Sequence, residues 1–255
     1  MPDGVDAILL FKLLAFGVMV ALFVQERVAP LVPQPRDGQR LARNLSLWGG
    51  NIVLSLIVIV PLTSFAASNG LGWRPVWWSG AVGLVFDLLL LDLWIYGWHR
   101  ANHVVPFLWR FHQVHHRDQA LDVSTAVRFH PGEVMLSALV RAGVIVLLAM
   151  PLSTILLFEA IVLVAAAFQH SNIRLRPAVD GFLARLVITP GIHWVHHHDR
   201  RADTDSNYGT VLSVWDRLFS SLNPTKRSVA MTLGVEGAAE LPLAGLAVLP
   251  FESQR

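Results

Sequence analysis

The sequence predicts an all-α protein: a polytopic transmembrane helical bundle of three spans and a helical hairpin, carrying a helical, histidine-rich cap on the cytoplasmic side. Hydrophobic residues make up 54% of the 255 residues, charged residues make up 15%, and the mean hydropathy is +0.51. These values lie outside the range of soluble globular domains and indicate a membrane protein. All eleven histidines follow residue 98, so any imidazole chemistry is confined to the later part of the chain.

Three apolar runs in the first hundred residues are long enough to cross a membrane. A helix needs roughly 20 residues to span a hydrocarbon core of about 30 Å. The runs are Ala7–Val24, Leu47–Ala67 and Val76–Trp98. Lys12 in the first run lies close enough to the end of the helix for its ammonium group to reach the interface. We therefore predict three single spans in this region.

A longer apolar stretch, Val134 to Phe168, has Pro151 almost at its centre. This stretch is too long for one span, and proline cannot continue a helix without strain, so a helical hairpin is the simplest interpretation. The preceding "HPGE", residues 130 to 133, indicates where the hairpin begins. Pro131 suits a first helical position, and Glu133 suits the positive end of the helix dipole.

The placement of arginines predicts which side of the membrane carries the cap. The loop after the first span contains four arginines, whereas the loop after the second contains only Arg74. The four are Arg27, Arg36, Arg40 and Arg43. By the positive-inside rule the first loop is cytoplasmic. The third span and the hairpin then return residues 99–132 and 169–255 to the cytoplasm, so both histidine-rich regions lie on one face of the membrane.

The carboxy-terminal segment Leu233–Phe251 is apolar but is interrupted by Glu236, Glu240, Pro242 and several glycines. We predict an interfacial or protein-packed segment rather than a sixth span. The chain shows no internal repeat beyond its histidine pattern and no low-complexity linker, so we predict one domain over residues 1–255. Twenty Lys and Arg against eighteen Asp and Glu give no indication of a nucleic-acid partner.

Eight histidines occur at helical spacing, as one pair four residues apart and two triplets of the form H-x2-HH. They are His99 and His103, then His112, His115 and His116, and finally His193, His196 and His197. We expect each set to lie on one helix face and to act as a unit. Eight nitrogen ligands suit two metal ions better than one, and imidazole binds zinc, copper, iron and nickel. The alternatives are hydrogen-bonded interfacial histidines, or haem, which uses single axial histidines rather than triplets.

The three remaining histidines receive separate interpretations. His170 lies where the hairpin re-emerges, and we favour it as a ninth ligand, with a hydrogen-bonded interfacial histidine as the alternative. His130 lies at the other foot of the hairpin and is interpreted either as a ligand or as a residue that orients one. His198 points about 100° away from His197 around a helix, which favours solvent or a hydrogen bond.

Polar residues close to the histidines in sequence are candidates for orienting the imidazole rings or for binding metal themselves. We single out Asn172, Asp199 and Asp205, and we also consider Asp118 and Asp203. The absence of cysteine from the sequence excludes thiolate ligands.

Three acidic residues fall within the predicted spans: Asp87, Asp92 and Glu159. An ionisable group is costly there and is a functional hypothesis by default. Asp92 lies about two turns before His99 on the same helix face, so it is a candidate for lining a route to the metals, with a buried hydrogen bond as the alternative.

Five phrases of the sequence resemble the fatty acid hydroxylase and sterol desaturase superfamily of integral membrane oxygenases, whose pattern is H-x3-H, H-x2-HH and [HQ]-x2-HH. The phrases are "WHRANH", "FHQVHH", "RFHPGE", "FQHSNI" and "IHWVHHHDRRADTDSNYGTVLSVWDRLF". The resemblance covers about residues 90–222, which is the catalytic core that it implies.

The resemblance implies a histidine-ligated centre of two iron ions, with zinc as a substitute metal, that uses O2 and two electrons to hydroxylate or desaturate a lipid. The eight histidines of the pair and the two triplets match the family's eight ligand positions. No catalytic residue apart from the metal centre, and no further cofactor site, is implied. The chain has no GxGxxG fingerprint and no cysteine, so the electrons are expected from another protein.

We favour lipid hydroxylation, with desaturation at the same centre, or a noncatalytic zinc-binding membrane protein, as the alternatives. The lipid, be it a sterol, a fatty acyl chain or a related molecule, is expected to enter from the bilayer. The expected location is a bacterial inner membrane or the endoplasmic reticulum, with the metal site on the cytoplasmic side. The sequence leaves open the carbon attacked, the electron donor and whether the chain forms a homo-oligomer.

Overall fold

The computed structural model describes residues 3–33 and 38–252, and within them every regular element is helical. Arg36, one of the loop arginines, lies outside the described residues. The long helices are α1 (Asp3–Val28), α2 (Gly38–Leu54), α3 (Val60–Ser68), α4 (Gly80–Val104), α5 (Pro106–His116), α6 (Pro131–Leu148) and α7 (Leu152–His170). Short helices follow: α8 (Pro177–Leu183), α9 (Pro190–His196), α10 (Arg201–Thr204), α11 (Val214–Leu218) and α12 (Leu243–Val248).

Five helical segments of the described chain are long and apolar enough to cross a membrane, in agreement with the predicted spans and hairpin. They are Ile8–Val28, Gly38–Ser68, Gly80–Val104, Pro131–Leu148 and Leu152–His170. The protein is therefore a multi-pass membrane protein with an all-helical fold. The third span continues past its predicted end at Trp98, so α4 itself carries His99 and His103. The side of the membrane on which the cap lies stays a prediction.

The second span is continuous from α2 to α3 but contains one π-helical turn, Ser55–Ile59. Pro61 follows at the start of α3 and has no backbone N–H to give to the preceding turn. The wider turn absorbs this missing hydrogen bond without ending the helix.

The hairpin turns where Pro151 predicted it. α6 ends on Ala149, whose φ of 48° is left-handed, and Pro151 precedes α7. Gly70 from the preceding loop packs directly on this turn, because a Cβ at residue 70 would lie 2.8 Å from the Ala149 Cα. Beneath the turn, Met150, Ile155 and neighbouring side chains form a buried apolar core between the spans.

Two of the acidic residues in the spans form ion pairs. Asp87 pairs with Arg74 and accepts a hydrogen bond from the Trp78 Nε1, at 2.9 Å, which fixes the loop before α4. Glu159 in α7 lies 3.6 Å from the Lys12 Nζ of α1 and 3.2 Å from Arg141 of α6. Asp87 therefore holds a loop to α4, whereas Glu159 joins three helices.

A buried polar network holds the cap against the spans. Arg40 at the start of α2 donates to Asp118 at 2.5 Å and to Asp122 at 2.7 Å. Asp122 also begins the short 3₁₀-helix Val123–Val127, where its side chain accepts from the Ser124 backbone N–H. The loop that follows α5 is therefore tied to α2 by ionic hydrogen bonds away from solvent.

The carboxy-terminal segment packs on protein. Leu246 of α12 and Leu249 are buried against Leu47 and against Val114 of α5. Glu240 accepts hydrogen bonds from Arg128, at 2.8 Å for the shorter one. The segment contains only the six-residue helix α12 and a 3₁₀ turn, in line with the prediction that it does not cross the membrane.

Candidate metal centre

The structure brings nine of the eleven histidines into two adjacent groups near one end of the helical bundle. The five-histidine group consists of His99, His103, His112, His116 and His196, and the four-histidine group consists of His115, His170, His193 and His197. Within each group, one nitrogen from every ring lies within 4.8 Å of the others. All nine histidines predicted as ligands, His170 among them, are therefore placed where a metal ion could be shared.

The triplets do not act as units, and this corrects the expectation from helical spacing. In α5, His112 and His116 point into the five-histidine group, whereas His115 points into the four-histidine group. In the third cluster the division is reversed, with His193 and His197 in the four-histidine group and His196 in the other. Successive residues of a helix point about 100° apart, so the two adjacent histidines of each H-x2-HH motif face different groups.

The four-histidine group has four Nε2 atoms converging on one point. The Nε2 of His170 lies 3.1 Å from that of His115 and 2.9 Å from that of His193. The Nε2 of His197 lies 3.2 Å from that of His193. Nitrogens separated by such distances are typical of neighbouring ligands bound about 2.0–2.1 Å from one ion.

Backbone carbonyls determine which nitrogen of these rings carries the proton. The His170 Nδ1 lies 2.7 Å from the Ala166 carbonyl oxygen, and the His115 Nδ1 lies 3.2 Å from the Arg128 carbonyl oxygen. A carbonyl oxygen can only accept, so each Nδ1 must be the donor. The facing Nε2 atoms of His170 and His115 then each carry an unprotonated lone pair. The two lone pairs repel each other unless a cation lies between them.

The five-histidine group is oriented by a mixture of carbonyls and carboxylates. The Nδ1 atoms of His99 and His196 donate to the carbonyls of Tyr208 and Ser206, at 2.8 and 2.6 Å. His112 and His103 donate instead to carboxylates, described below. In each of these four rings the Nε2 atom is left unprotonated, with its lone pair facing the group.

Several of the inward-facing nitrogens are buried without a hydrogen-bond partner. They are the Nε2 atoms of His103, His112 and His196, and His116 has no partner for either ring nitrogen, one of which can face the group. An unpaired buried polar atom is costly, and four such rings in one cluster fit a metal ion as the missing partner. The donor set, made only of neutral imidazole nitrogen, suits a transition metal.

Five buried histidines of the cap are held neutral. Burial, with nearby imidazoles adding to it, lowers the pKa values of His115, His116, His193 and His197 well below the ordinary histidine value. Burial likewise lowers the pKa of His196 to about 3. At neutral pH these rings present lone pairs, which is the form that binds metal.

Glu133 is the carboxylate that reasoning from sequence missed. Its Oε1 accepts from the His112 Nδ1 at 2.8 Å and from the Asn102 side-chain amide at 3.2 Å, and the residue is buried. We interpreted Glu133 only as a helix start. A carboxylate in the first turn of a membrane helix was the available signal, because such a group is costly without a specific partner.

The orienting residues expected from sequence are only partly in position. Asp205 contacts His103, with 3.4 Å between the Asp205 Oδ1 and the ring Nδ1. Asp199 lies 3.5 Å from His198, which belongs to neither group, and Asn172 bonds to the backbone of Val32. Asp118 and Asp203 contact no histidine of either group, because Asp118 pairs with Arg40 and Asp203 accepts from the His198 Nδ1 at 2.7 Å.

His130 lies outside both groups, and both of its ring nitrogens are in use. The Nδ1 accepts from the Gly132 backbone N–H at 2.9 Å, and the Nε2 lies 3.1 Å from the Ala247 carbonyl oxygen. The expectation that His130 binds metal, or orients a histidine that does, is therefore wrong for this arrangement. The residue caps α6 and anchors the carboxy-terminal segment to it.

Asp92 supports the site indirectly rather than lining a route to it. Its carboxylate accepts from the backbone N–H groups of Val211 and Leu212 and from the Trp215 Nε1 at 2.8 Å. Asp216 holds the same segment by accepting from the Tyr208 backbone N–H at 2.8 Å. These two carboxylates fix the loop whose Tyr208 carbonyl orients His99.

The aromatic ring of Trp109 covers the five-histidine group on its outer side. The ring lies 5.2 Å from that of His103 and 5.4 Å from that of His116. The Arg201 guanidinium lies over the other side of Trp109, 4.7 Å from the ring centre, and also donates to the His103 carbonyl at 3.1 Å. Trp109 and Arg201 thus pack over the five-histidine group on this side.

Comparison with known proteins agrees with this architecture. The family described as fatty acid hydroxylase matches residues 84–221, just over half of the chain. An ornithine lipid hydroxylase of Rhizobium tropici is 28% identical over 230 residues, which cover 86% of this chain and 68% of that protein. No solved structure matches the chain at a significant level.

Alkylglycerol monooxygenases are also similar. The Danio rerio protein is 29% identical over 154 residues, which cover 60% of this chain and 32% of that protein. The Homo sapiens protein is 28% identical over 159 residues, which cover 62% and 33% of the two chains. The matched region is thus about a third of each alkylglycerol monooxygenase. The matched family residues contain both histidine groups, and the chain belongs to the fatty acid hydroxylase family.

Proposed function

We propose that this protein is a di-iron oxygenase that hydroxylates a C–H bond of a membrane lipid. The observation that carries the proposal is the pair of adjacent histidine groups, in each of which one nitrogen from every ring lies within 4.8 Å of the others. The reaction combines R–H, O2, two electrons and two protons into R–OH and water. The electrons come from a separate donor protein, and the catalytic core is placed at about residues 90–222 of a single domain.

One iron ion would be held by the five-histidine group and the other by the four-histidine group. Iron bound there would supply the activation of O2 toward a C–H bond. Zinc would fit the same nitrogens but lacks redox chemistry, so it would give an inactive protein. The protein's own contribution is to fix the ring tautomers, to exclude water with Trp109 and Arg201, and to place the lipid.

The names of the relatives support a lipid as the substrate. The similar proteins are a hydroxylase of ornithine lipid and monooxygenases of alkylglycerol. This chain has the family core and five helical segments that are long and apolar enough to span a membrane. We propose a substrate with a polar end at the cap and a hydrocarbon chain in the bilayer.

A groove between α1 and α7 is the proposed binding site for that hydrocarbon chain. It has a volume of about 410 Å³, and its lining includes Ala15 of α1 together with Ala165 and Phe168 of α7. The lining of α7 extends from residue 157 to 168, a length of roughly 16 Å at 1.5 Å per residue. The groove ends two residues before His170, so a chain lying in it would point toward the four-histidine group.

Filling the groove should change which chains react. Leu157→Trp should shorten the preferred chain, because the indole would occupy the end of the groove farthest from the histidine groups. Leu139→Trp, at a lipid-exposed position of α6 outside the groove, serves as the matched control. An unchanged distribution of product chain lengths for Leu157→Trp would rule out this groove as the chain site.

The proposed function is tested by lipid analysis under labelled O2. Cells that contain the protein, or its His193→Ala variant, are grown in ¹⁸O2 and their lipids compared by mass spectrometry. We expect a lipid that gains one ¹⁸O atom only with the unmodified protein, and purified protein with about two iron ions. Loss of two hydrogens without oxygen would indicate desaturation instead. A zinc-only protein with unchanged lipids would refute the oxygenase.

A further inference from the structure

We propose that the cap has an interfacial foot, formed by α8, Leu186 and α11, that is inserted into the lipid leaflet on the metal side with its arginines at the lipid phosphates. The foot lies outside the two histidine groups and takes no part in the reaction proposed above. The inference therefore does not depend on the proposed oxidation.

The foot exposes large apolar side chains. Phe182 and Leu186, in and just after α8, are 63% and 64% exposed, and Leu218 of α11 is 65% exposed. Val179, Val214 and Phe219 are also exposed. Monomeric proteins rarely leave a continuous apolar surface of this kind in water, and such surfaces mark membrane or protein contacts.

The two parts of the foot form one surface, because hydrogen bonds join them. Arg217 of α11 donates to the carbonyl oxygens of Ala184 and Arg185, at 2.6 and 3.2 Å. The Ser213 backbone N–H donates to the Leu186 carbonyl oxygen at 3.0 Å. The apolar side chains of α8 and α11 are thus held side by side.

The depth of the foot follows from its neighbours. Val187 and Ile188, which directly follow Leu186, line the same groove as Val18 of α1 and Ala165 of α7. Those two helices are long enough to span the membrane. The chain therefore leaves the foot at the level of the apolar span surface, which places α8 at the edge of the hydrocarbon.

The charges around the foot match lipid phosphates. Arg174, Arg176 and Arg185 are all exposed and lie before or just after α8. The nearest acids are Asp180, which is only partly exposed, and Asp216, which is buried and accepts from backbone N–H groups. Apolar side chains bordered by arginines are the pattern of an amphipathic segment lying in a leaflet with anionic lipids.

Single cysteines provide the test, because the sequence contains none of its own. Phe182→Cys and Leu218→Cys are spin-labelled in nanodiscs of phosphatidylcholine and phosphatidylglycerol. Collision rates with O2 and with a water-soluble nickel chelate are then measured. Ile57→Cys, 69% exposed on the second span, is the lipid standard, and Glu236→Cys, at an exposed acidic position, is the water standard.

We expect the labels at 182 and 218 to favour O2 over the nickel chelate as the label at 57 does. Labels that behave like the one at 236 would overturn the proposal. Labels shielded from both reagents would overturn it too, since they would indicate a contact between protein copies. Neither result would bear on lipid oxidation, so the proposed function is judged separately.

The arginines are tested in the same nanodiscs by native mass spectrometry. Arg176→Gln with Arg185→Gln should reduce retained phosphatidylglycerol at least fivefold, since one arginine near an anionic surface accounts for about that factor. Lys226→Gln, at an exposed position outside the foot, is the matched control. Equal retention by both proteins would overturn the assignment of these arginines to lipid phosphates.

Discussion

The two histidine groups differ in how they are built from the same motif. α5 gives two histidines to the five-histidine group and one to the four-histidine group, whereas the triplet beginning in α9 does the opposite. Each H-x2-HH motif thus contributes to both groups, and His116 stacks on His197 across the boundary with 4.4 Å between ring centres. Each motif therefore bridges two sites rather than building one.

The groups also differ in what orients their rings. The carbonyls of Arg128 and Ala166 orient rings of the four-histidine group, and side-chain substitution does not remove those carbonyls. The five-histidine group depends in part on Glu133 and Asp205, which substitution can remove. Mutation can therefore separate the effect of ring orientation from the effect of losing a ligand mainly in the five-histidine group.

The largest effect should come from removing a ligand of the smaller group. His193→Ala leaves three histidines there, so bound iron should fall from about two ions to about one, with loss of product. His103→Ala leaves four histidines in its group and should retain more iron. Iron analysis of the purified proteins measures both. His198→Ala, which pairs with Asp203 outside both groups, is the control, and equal iron loss in all three variants would contradict the assignment.

A large effect on stability is expected from Asp122→Asn. Removing one partner of a buried ion pair typically costs about 3 kcal/mol, and Asp122 accepts from both Arg40 and Arg27. The network holds the loop that ends at Arg128, whose carbonyl orients His115. Thermal unfolding in detergent should show the lower stability of the variant. Any loss of bound iron in the folded variant should occur in the four-histidine group.

The stability lost in Asp122→Asn should depend on pH. Burial raises the pKa of the Asp122 carboxyl, but hydrogen bonds and the charge of Arg40 outweigh it and hold the pKa below its ordinary value. The stabilisation is therefore complete above the ordinary aspartate pKa of about 3.9 and is lost as pH falls through the lower folded value. The difference between Asp122→Asn and the unmodified protein should shrink below about pH 4, and a constant difference would refute this origin.

A smaller effect, confined to the five-histidine group, should follow Glu133→Ala. Loss of a carboxylate that orients a metal-binding histidine typically lowers metal affinity or activity about 10- to 100-fold. Glu133→Gln should restore much of it, because an amide oxygen still accepts from the His112 Nδ1. Metal titration with a competing chelator measures the affinity of each site. Equal weakening of both sites would indicate general destabilisation instead.

The smallest effect is expected from Asp205→Asn. The contact between Asp205 and His103 is 3.4 Å long, and the carboxylate is a third exposed, so solvent screens it. Metal affinity of the five-histidine group should fall less than tenfold. A loss of metal affinity as large as that of Glu133→Ala would show that solvent exposure does not determine how much each carboxylate contributes.

Much of the fold and site was predictable from sequence because the signals were local. Apolar run length gave the spans, Pro151 gave the turn, and histidine spacing gave the candidate ligands. The 100° step between adjacent histidines could have predicted that each triplet divides, but which histidine enters which group depends on the tertiary packing of the helices. Glu133 was missed for the same reason, since its partner His112 belongs to another helix. The role of His130 was missed because one of its two backbone partners, the Ala247 carbonyl, lies far along the chain.

The segment around α12 has a consequence for the order of assembly. Leu246 and Leu249 cover Val114 of α5, and these leucines follow every histidine in the chain. The packing of Leu246 and Leu249 on α5 can therefore be completed only after every histidine of the chain has been synthesised.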